Sequence, residues 1–247
     1  MVTDTEVVAS GTRWSETAGA VLRLIMLPLT ILAAVTLGLG FLIIKPFRSE
    51  IAGEVAVNQG LAADRTPLFN DLTHYGSMLS DTPVVVVLTA IAAIAFRLAF
   101  NRWRESIFIV LAVLSQNVVF LLATVFVQRP RPTVHHLDPA PPTSSFPSGH
   151  TSAAVGFYCG MALVLTLHTH RHTLLKVLWW TIGIAAPLIV AISRLYRGMH
   201  HLTDVSWGLV LGVVCVAVAG HAILGTPLIP GRGSGTTTTR GTRASTA

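Results

Sequence analysis

The chain has 247 residues, of which 52% are hydrophobic and 11% are charged, and its mean hydropathy is +0.66. Ordinary soluble domains carry about 25% charged residues, so this composition excludes a typical soluble protein and predicts an integral membrane protein. The formal net charge of +6 does not indicate nucleic-acid binding, because the lysines and arginines are scattered between apolar runs and form no continuous basic stripe.

Six apolar segments are long enough to cross a bilayer as helices, for which about 20 residues are needed. They predict an all-α membrane bundle of six transmembrane helices, at residues 24–44, 82–99, 106–128, 150–167, 177–193 and 204–224. The two cysteines, Cys159 and Cys215, lie inside such segments, which argues against a disulfide framework and against a cysteine-based zinc site.

The composition around these segments divides the chain into three regions. Residues 1–20 are polar and lack the charged, apolar and small-residue order of a cleaved signal peptide, so we interpret them as a cytoplasmic tail. Residues 21–225 form the six-span domain, and residues 226–247, rich in Gly, Thr and Arg, are expected to be a disordered tail. Within the domain, the acidic stretch 45–81 carries Leu and Ala at roughly helical spacing and predicts a surface helix on the membrane.

Six spans place both termini on the same side of the membrane, and the distribution of basic residues indicates which side. With cytoplasmic termini, ten of the seventeen Lys and Arg residues fall on the cytoplasmic side. Four of the other seven lie in two loops that we expect to bind phosphate: Arg129, Arg131, Arg194 and Arg197. The sequence therefore predicts a multi-pass protein of the cell membrane with both termini in the cytoplasm.

The tetrapeptide Pro147-Ser148-Gly149-His150 stands where a polar loop ends and the fourth apolar segment begins. Pro147 does not continue an upstream helix, Ser148 is a favourable N-cap, and Gly149 allows a bound group to approach the backbone closely. The free amides of a helix N-terminus favour phosphate-like anions, and His150 adds a proton donor. Alone, the tetrapeptide is a weak signal, since capping with a chance histidine explains most such sequences.

With six spans, three distant segments meet on the outer face: residues 128–132, 147–150 and 193–204. Arginines, histidines and one carboxylate therefore converge at one membrane surface. His200 and Asp204 are four residues apart, so on a helix they share a face and the carboxylate can accept a hydrogen bond from the imidazole. That bond fixes the tautomer and leaves the other ring nitrogen free to attack.

These segments carry motifs of the type-2 phosphatidic acid phosphatase superfamily, which the last five spans resemble. Residues 147–150 match Pro-Ser-Gly-His and residues 193–204 match Ser-Arg-x5-His-x3-Asp, in the family's order and separation. In the third motif, Lys-x6-Arg-Pro, Arg131 and Pro132 match, but Thr124 stands at the lysine position. The integral membrane members of this family dephosphorylate lipid phosphates.

The resemblance implies a covalent phosphatase mechanism that needs no metal and no other cofactor. His200 would attack phosphorus to form a phosphohistidine, with Asp204 orienting it, while His150 would protonate the leaving group and then activate water. The phosphoryl oxygens would be held by Arg131, Arg194, Ser148 and the Gly149 amide. Because a threonine cannot supply the charge of the missing lysine, we predict that Arg129 supplies it by turning toward the same pocket. The alternative is that Arg129 anchors to lipid headgroups and that Thr124 is a neutral residue facing its helix.

These expectations define a phosphatase that acts on a lipid phosphate or diphosphate, with its active site facing outside. A site at the bilayer surface admits polyprenyl phosphate or diphosphate, phosphatidic acid and phosphatidylglycerol phosphate alike. A non-catalytic protein that binds or transports anionic lipids would use the same arginines, but it has no use for the arrangement of His200, Asp204 and His150. A phosphotransferase or a vanadate-dependent oxidase on the same scaffold is a further alternative.

Overall fold

The computed structural model describes residues 19–45 and 53–225, and all regular secondary structure in these two ranges is helical. Eight helices follow one another along the described chain: α1 (Gly19–Ile44), α2 (Gly53–Ala63), α3 (Pro67–Met78), α4 (Thr82–Phe100), α5 (Arg104–Val127), α6 (Gly149–His168), α7 (Thr173–Tyr196) and α8 (Leu202–Gly225).

Six of these helices, α1 and α4 to α8, have 19 to 26 residues and are apolar enough to cross a membrane. They confirm the predicted bundle of six transmembrane helices, because each predicted span coincides with one helix. The largest difference is in α1, which begins at Gly19 rather than at Leu24. Of the predicted tails, residues 1–18 and 226–247 lie outside the described residues.

The described part of the acidic stretch between the first two spans, residues 53–81, contains two short helices, where the sequence predicted one. Pro67 is the first residue of α3, and the Thr66 hydroxyl accepts a hydrogen bond from the Phe69 amide at 3.3 Å. A proline cannot donate its backbone nitrogen to a preceding turn, and threonine is a good N-cap, so the Thr-Pro pair ends α2 and starts a new helix. This local signal was present in the sequence and was overlooked.

The centre of the bundle is formed by α5, α6 and α8, which bury the largest share of their residues. Phe108 and Ile109 of α5 pack with Val155 of α6 in one apolar cluster, and all three are essentially inaccessible. By contrast, apolar side chains on α4, such as Ile94 and Leu98, are exposed. In a bilayer these outward faces meet lipid chains, so their exposure is expected of a membrane protein.

Two glycines bring α8 against the start of α6. A Cβ added at Gly208 would lie 2.7 Å from the carbonyl oxygen of Ser148, and one added at Gly212 would lie 2.5 Å from Cβ of Val155. Any larger residue would push the two helices apart, so the backbones are in direct contact. This contact places Asp204, one turn before Gly208, beside the first residues of α6, where the Ser148 amide donates to the Asp204 carbonyl at 3.0 Å.

Candidate active site

The three motif segments meet at one end of the bundle, as the sequence predicted. There α5 and α7 end and α6 and α8 begin, so loops and helix termini enclose a cavity of about 630 Å³. Four predicted site residues line this cavity together with the predicted nucleophile: Arg131, Gly149, His150, Arg194 and His200. The cavity therefore collects these five residues from segments up to 69 residues apart in the chain, the separation of Arg131 and His200.

His200 is held so that one ring nitrogen remains available. Its side chain is almost completely buried, and Nδ1 lies 2.8 Å from the carbonyl oxygen of Ser145. Because a carbonyl oxygen only accepts, Nδ1 carries the proton, and Nε2 of the neutral ring keeps its lone pair. Burial lowers the pKa of His200 to about 4, with the charges of Arg194 and Arg131 adding to this effect and Asp204 opposing it. The imidazole is therefore neutral and nucleophilic at neutral pH.

The predicted hydrogen bond between His200 and Asp204 is absent, which corrects the sequence interpretation. His200 lies two residues before α8, in a turn, so the helical i,i+4 geometry does not apply. Its Nδ1 is 3.8 Å from Oδ2 of Asp204, which is too long for a hydrogen bond, although it is close enough for a strong electrostatic interaction. The carbonyl of Ser145 orients the ring instead, and Oδ2 of Asp204 accepts from the amide of His201 at 2.8 Å.

Ser148 and Gly149 have different positions at the start of α6. The hydroxyl of Ser148 is fully buried, accepts from the Thr151 amide at 3.4 Å and shares a 2.9 Å hydrogen bond with the Thr151 hydroxyl. Ser148 is thus the predicted N-cap, but its side chain does not line the cavity. Gly149 does line it, and a Cβ there would lie 2.9 Å from the ring of Phe120. A side chain at position 149 would therefore displace the ring of Phe120 at the cavity wall.

His150 is paired with an aspartate that the sequence analysis did not single out. Nε2 of His150 lies 3.2 Å from Oδ1 of Asp81, the residue before α4, and both side chains line the cavity. The hydrogen bond from His150 holds the pKa of Asp81 below its ordinary value. In the sequence Asp81 resembles an N-cap and one of several acidic loop residues, so no motif spacing distinguished it.

Arg131 and Arg194 present guanidinium groups to the cavity. Nη1 of Arg131 donates to the carbonyl of Met199 at 2.7 Å, and Nη1 of Arg194 donates to the Ser77 hydroxyl at 2.9 Å. Nη1 of Arg194 also lies 3.0 Å from Asp138, whereas its buried Nε has no hydrogen-bond partner among the described residues. A buried donor without a partner is costly, and this inaccessible Nε can bind an oxyanion in the cavity only after a local side-chain movement.

Asp138 is a second carboxylate of the cavity that the sequence analysis did not identify. It accepts hydrogen bonds from Arg194 at 3.0 Å and from Arg197 at 2.6 and 2.8 Å. Burial alone would raise the pKa of Asp138, but the hydrogen bond from Arg197 and the charges of both arginines hold it below its ordinary value. Arg197 therefore holds the loop that carries Asp138, and it does not itself line the cavity.

Arg129 does not reach the cavity, in contrast to the sequence prediction. Its buried guanidinium donates to Asp204 at 2.5 Å through Nη1 and to Glu54 at 2.6 Å through Nη2. Thr124, at the position of the family lysine, donates its hydroxyl to the Leu121 carbonyl of its own helix at 2.9 Å. Neither residue contributes a charge to the cavity wall in this arrangement.

The comparisons with known proteins agree with the motifs. The model of the PAP2 superfamily matches residues 104–224, which include both complete motifs. Phosphatidylglycerophosphatase B of Bacillus subtilis (strain 168) is 26% identical over 171 residues, which cover 66% of this chain and 79% of the relative.

Two crystal structures share the fold. The transmembrane PAP2-type phosphatidylglycerolphosphate phosphatase of Bacillus subtilis matches with a TM-score of 0.66 and 23% identity, over 80% of this chain and 92% of that one. LpxE of Aquifex aeolicus matches with a TM-score of 0.52 and 23% identity, over 66% of this chain and 92% of that one. On these motifs, matches and helices, the chain is an integral membrane protein, and its residues 104–224 belong to the PAP2 superfamily.

Proposed function

We propose that this protein is a lipid phosphate phosphatase that works through a phosphohistidine on His200. The observation that carries the proposal is the position of His200, whose Nδ1 is tied to the Ser145 carbonyl in a cavity that also contains Arg131 and Arg194. A neutral imidazole with one fixed nitrogen is a competent nucleophile, and two guanidinium groups are the donors that a transferring phosphoryl group requires.

In the first half of the reaction, Nε2 of His200 bonds to phosphorus while the bond from phosphorus to the lipid oxygen breaks. His150 gives a proton to the departing oxygen, and the nearby carboxylate of Asp81 favours the protonated imidazole that this step needs. The phosphorylated ring carries a positive charge, which the Asp204 carboxylate stabilises from 3.8 Å.

In the second half, His150 takes a proton from water, whose oxygen bonds to phosphorus. The bond between phosphorus and Nε2 breaks, and its electron pair returns to His200. Arg131, Arg194 and the Gly149 amide stabilise the equatorial oxygens in both halves, since charge develops there in each transition state. Ser148 serves this arrangement indirectly, by capping α6.

The substrate class follows from the position of the cavity at one end of a membrane-spanning bundle. A site at the end of such a bundle meets the headgroups of lipids, so we propose an amphiphilic phosphate as substrate. The similarity to a phosphatidylglycerophosphatase makes phosphatidylglycerol phosphate the first candidate, with phosphatidic acid and polyprenyl phosphate or diphosphate as the others. We further propose that both termini are cytoplasmic and that the cavity faces outside, because this orientation places most basic residues in the cytoplasm.

Phosphate release from these four lipids by the purified protein in detergent tests the proposal, with chelator present and with His200→Ala as the control. We expect release from at least one lipid and none from the variant. Tight lipid binding without any release would instead identify a lipid-binding or transport protein.

A further inference from the structure

The charge of Asp204 is balanced by an arginine that the proposed mechanism does not use. The Asp204 carboxylate is completely buried, and Arg129 donates to its Oδ1 through Nη1 at 2.5 Å. The other terminal nitrogen of Arg129 donates to Oε2 of Glu54 at 2.6 Å. One guanidinium group therefore bridges two buried carboxylates, one of which stands beside the proposed nucleophile. A buried charge that loses such a partner is strongly destabilised.

Helix α2 contacts the same turn at two further points. Oε1 of Glu54 accepts from the Thr203 amide at 2.5 Å, and the Asn58 side chain donates to the His200 carbonyl at 3.1 Å. Glu54 and Asn58 are four residues apart and thus lie on one face of α2. This face holds the backbone of the turn on both sides of His201, so the position of His200 depends on a short helix that crosses no membrane.

The charges of this cluster match the proposed intermediate better than the resting enzyme. Two carboxylates, Glu54 and Asp204, and one guanidinium, Arg129, sum to one negative charge while His200 is neutral. Phosphorylation of His200 turns its ring into a cation, which balances the negative charge of the cluster, while the added charge of the phosphoryl oxygens is left to Arg131 and Arg194 on the cavity side. An environment that is complementary to the charged state lowers the energy of the step that creates it.

We propose that Arg129 and Glu54 are positioning residues for His200, with Arg129 fixing the Asp204 carboxylate and Glu54 supplying the excess negative charge that stabilises the cationic phosphohistidine. This inference rests on the proposed phosphatase function and deepens it. It assigns to Arg129 a role behind the nucleophile, in place of the direct phosphate contact that the sequence predicted.

The inference has a signature in the pH dependence. The charged or titratable groups facing His200 are Asp204, His201, Arg194 and Arg131, with Arg129 and Glu54 behind Asp204. Replacing Arg129 by methionine leaves the carboxylates of Asp204 and Glu54 without their positive partner, so His200 holds its proton more tightly. The acid limb of the kcat–pH profile therefore moves to higher pH by about one to two units. Glu54→Gln removes a negative charge and does not move the limb upward.

The experiment compares kcat, KM and the acid limb of Arg129→Met, Arg129→Lys and Glu54→Gln in the full-length protein, with the best lipid substrate. We expect Arg129→Met to lower kcat by about a hundredfold, as for a misplaced reacting group, while KM changes less than about threefold. Arg129→Lys keeps the charge, so its acid limb stays at the wild-type pH, although one ammonium cannot replace the two-pronged contact and kcat remains reduced.

Glu105→Gln is the matched control. Glu105 is also a buried glutamate paired with an arginine, Arg102, but it lies on α5 at the opposite end of the bundle. It reports the effect of removing a buried, ion-paired carboxylate on melting temperature and kcat without any contact to the cavity. Glu54→Gln is nearly isosteric and keeps the test valid if Arg129→Met does not fold.

The possible results separate the alternatives. A large rise in KM with kcat retained in Arg129→Met overturns the inference, because it means direct phosphate binding. The inference is also overturned if Arg129→Met and Glu54→Gln leave the acid limb unmoved and lower kcat no more than Glu105→Gln does. That result indicates a purely structural ion pair. If the wild-type protein releases no phosphate from any lipid, the proposed function itself fails.

Discussion

Asp81 offers the most specific test of the proton-transfer chemistry, because only the structure, and no sequence motif, identified it as a residue of the cavity. Its Oδ1 lies 3.2 Å from Nε2 of His150, and the two side chains are 40% and 29% exposed. Asp81→Asn preserves the shape and a hydrogen-bond acceptor but removes the charge. We expect His150 to bind its proton more weakly, so that less of the enzyme has the general acid in its active form.

The geometry sets the size of this effect. Two opposite charges 3.2 Å apart attract by about 1.3 to 2.6 kcal/mol if the effective dielectric constant is about 40 to 80. Because the pair is partly exposed, solvent screening places the value near the lower end, at about 1.4 kcal/mol, which corresponds to about a tenfold loss and about one pH unit.

The assay is the kcat–pH profile of phosphate release. Asp81→Asn should lower kcat at pH 8 by about tenfold and move the basic limb about one unit to lower pH, and the loss should shrink on the acid side of that limb. Asp71→Asn is the matched control, since Asp71 is exposed on α3 and does not line the cavity. A uniform loss at every pH, or an unchanged profile, would refute the assignment of Asp81 as the partner of the general acid.

Three further predictions address the nucleophile, its burial and the orientation. Quenched wild-type enzyme should carry an acid-labile, base-stable phosphoryl group that His200→Ala lacks, and turnover by this variant above background would exclude His200 as nucleophile. Because the pKa of His200 falls from about 6.5 in the unfolded chain to about 4, stability is full above pH 6.5 and declines by about 3 kcal/mol as pH falls to 4; melting curves of His200→Gln should lack this component. In a chain without Cys159 and Cys215, an impermeant thiol reagent applied to intact cells should label Thr133→Cys but not His170→Cys, and the reverse pattern would place the cavity in the cytoplasm.

The fold was predictable because its signals are local. Each span is a run of apolar residues whose length is set by bilayer thickness, so composition alone located the six helices. It was also predictable that the motif residues are neighbours: His150, Arg131, Arg194 and His200. Their loops are separated by two membrane spans and therefore lie on the same side of the membrane. Their roles in the reaction stay predictions.

The contacts that orient the site were not predictable, for a physical reason. Ser145 acts through a backbone carbonyl, which has no residue-specific signal, and Asp81, Asp138 and Glu54 come from loops and short helices whose acidic residues read as ordinary solvated charge. The hydrogen bond expected between His200 and Asp204 was wrong because α8 begins only at Leu202, and element boundaries are the least certain part of a sequence interpretation.

A substitution at Thr124 tests whether Arg129 replaces the missing lysine or acts only on Asp204 and Glu54. Thr124 lies one turn after Phe120, which lines the cavity, so both residues share a face of α5 and a lysine at position 124 can extend toward the cavity. If Arg129 had taken over the lysine's role, Thr124→Lys would restore Arg129→Met and add little to the wild-type enzyme.

The observed contacts lead to the opposite expectation, because the charge of Arg129 is committed to Asp204 and Glu54. A lysine at position 124 then adds a phosphate donor that the enzyme lacks, and kcat/KM should rise by up to about tenfold, less than the value of a fully preorganised donor. The same factor should appear in the Arg129→Met background, since the two side chains act on different partners, and their coupling in a double-mutant cycle should be below about 0.5 kcal/mol. Restoration of Arg129→Met to wild-type activity by Thr124→Lys would show that Arg129 does serve the phosphate, whatever its contacts in the resting protein.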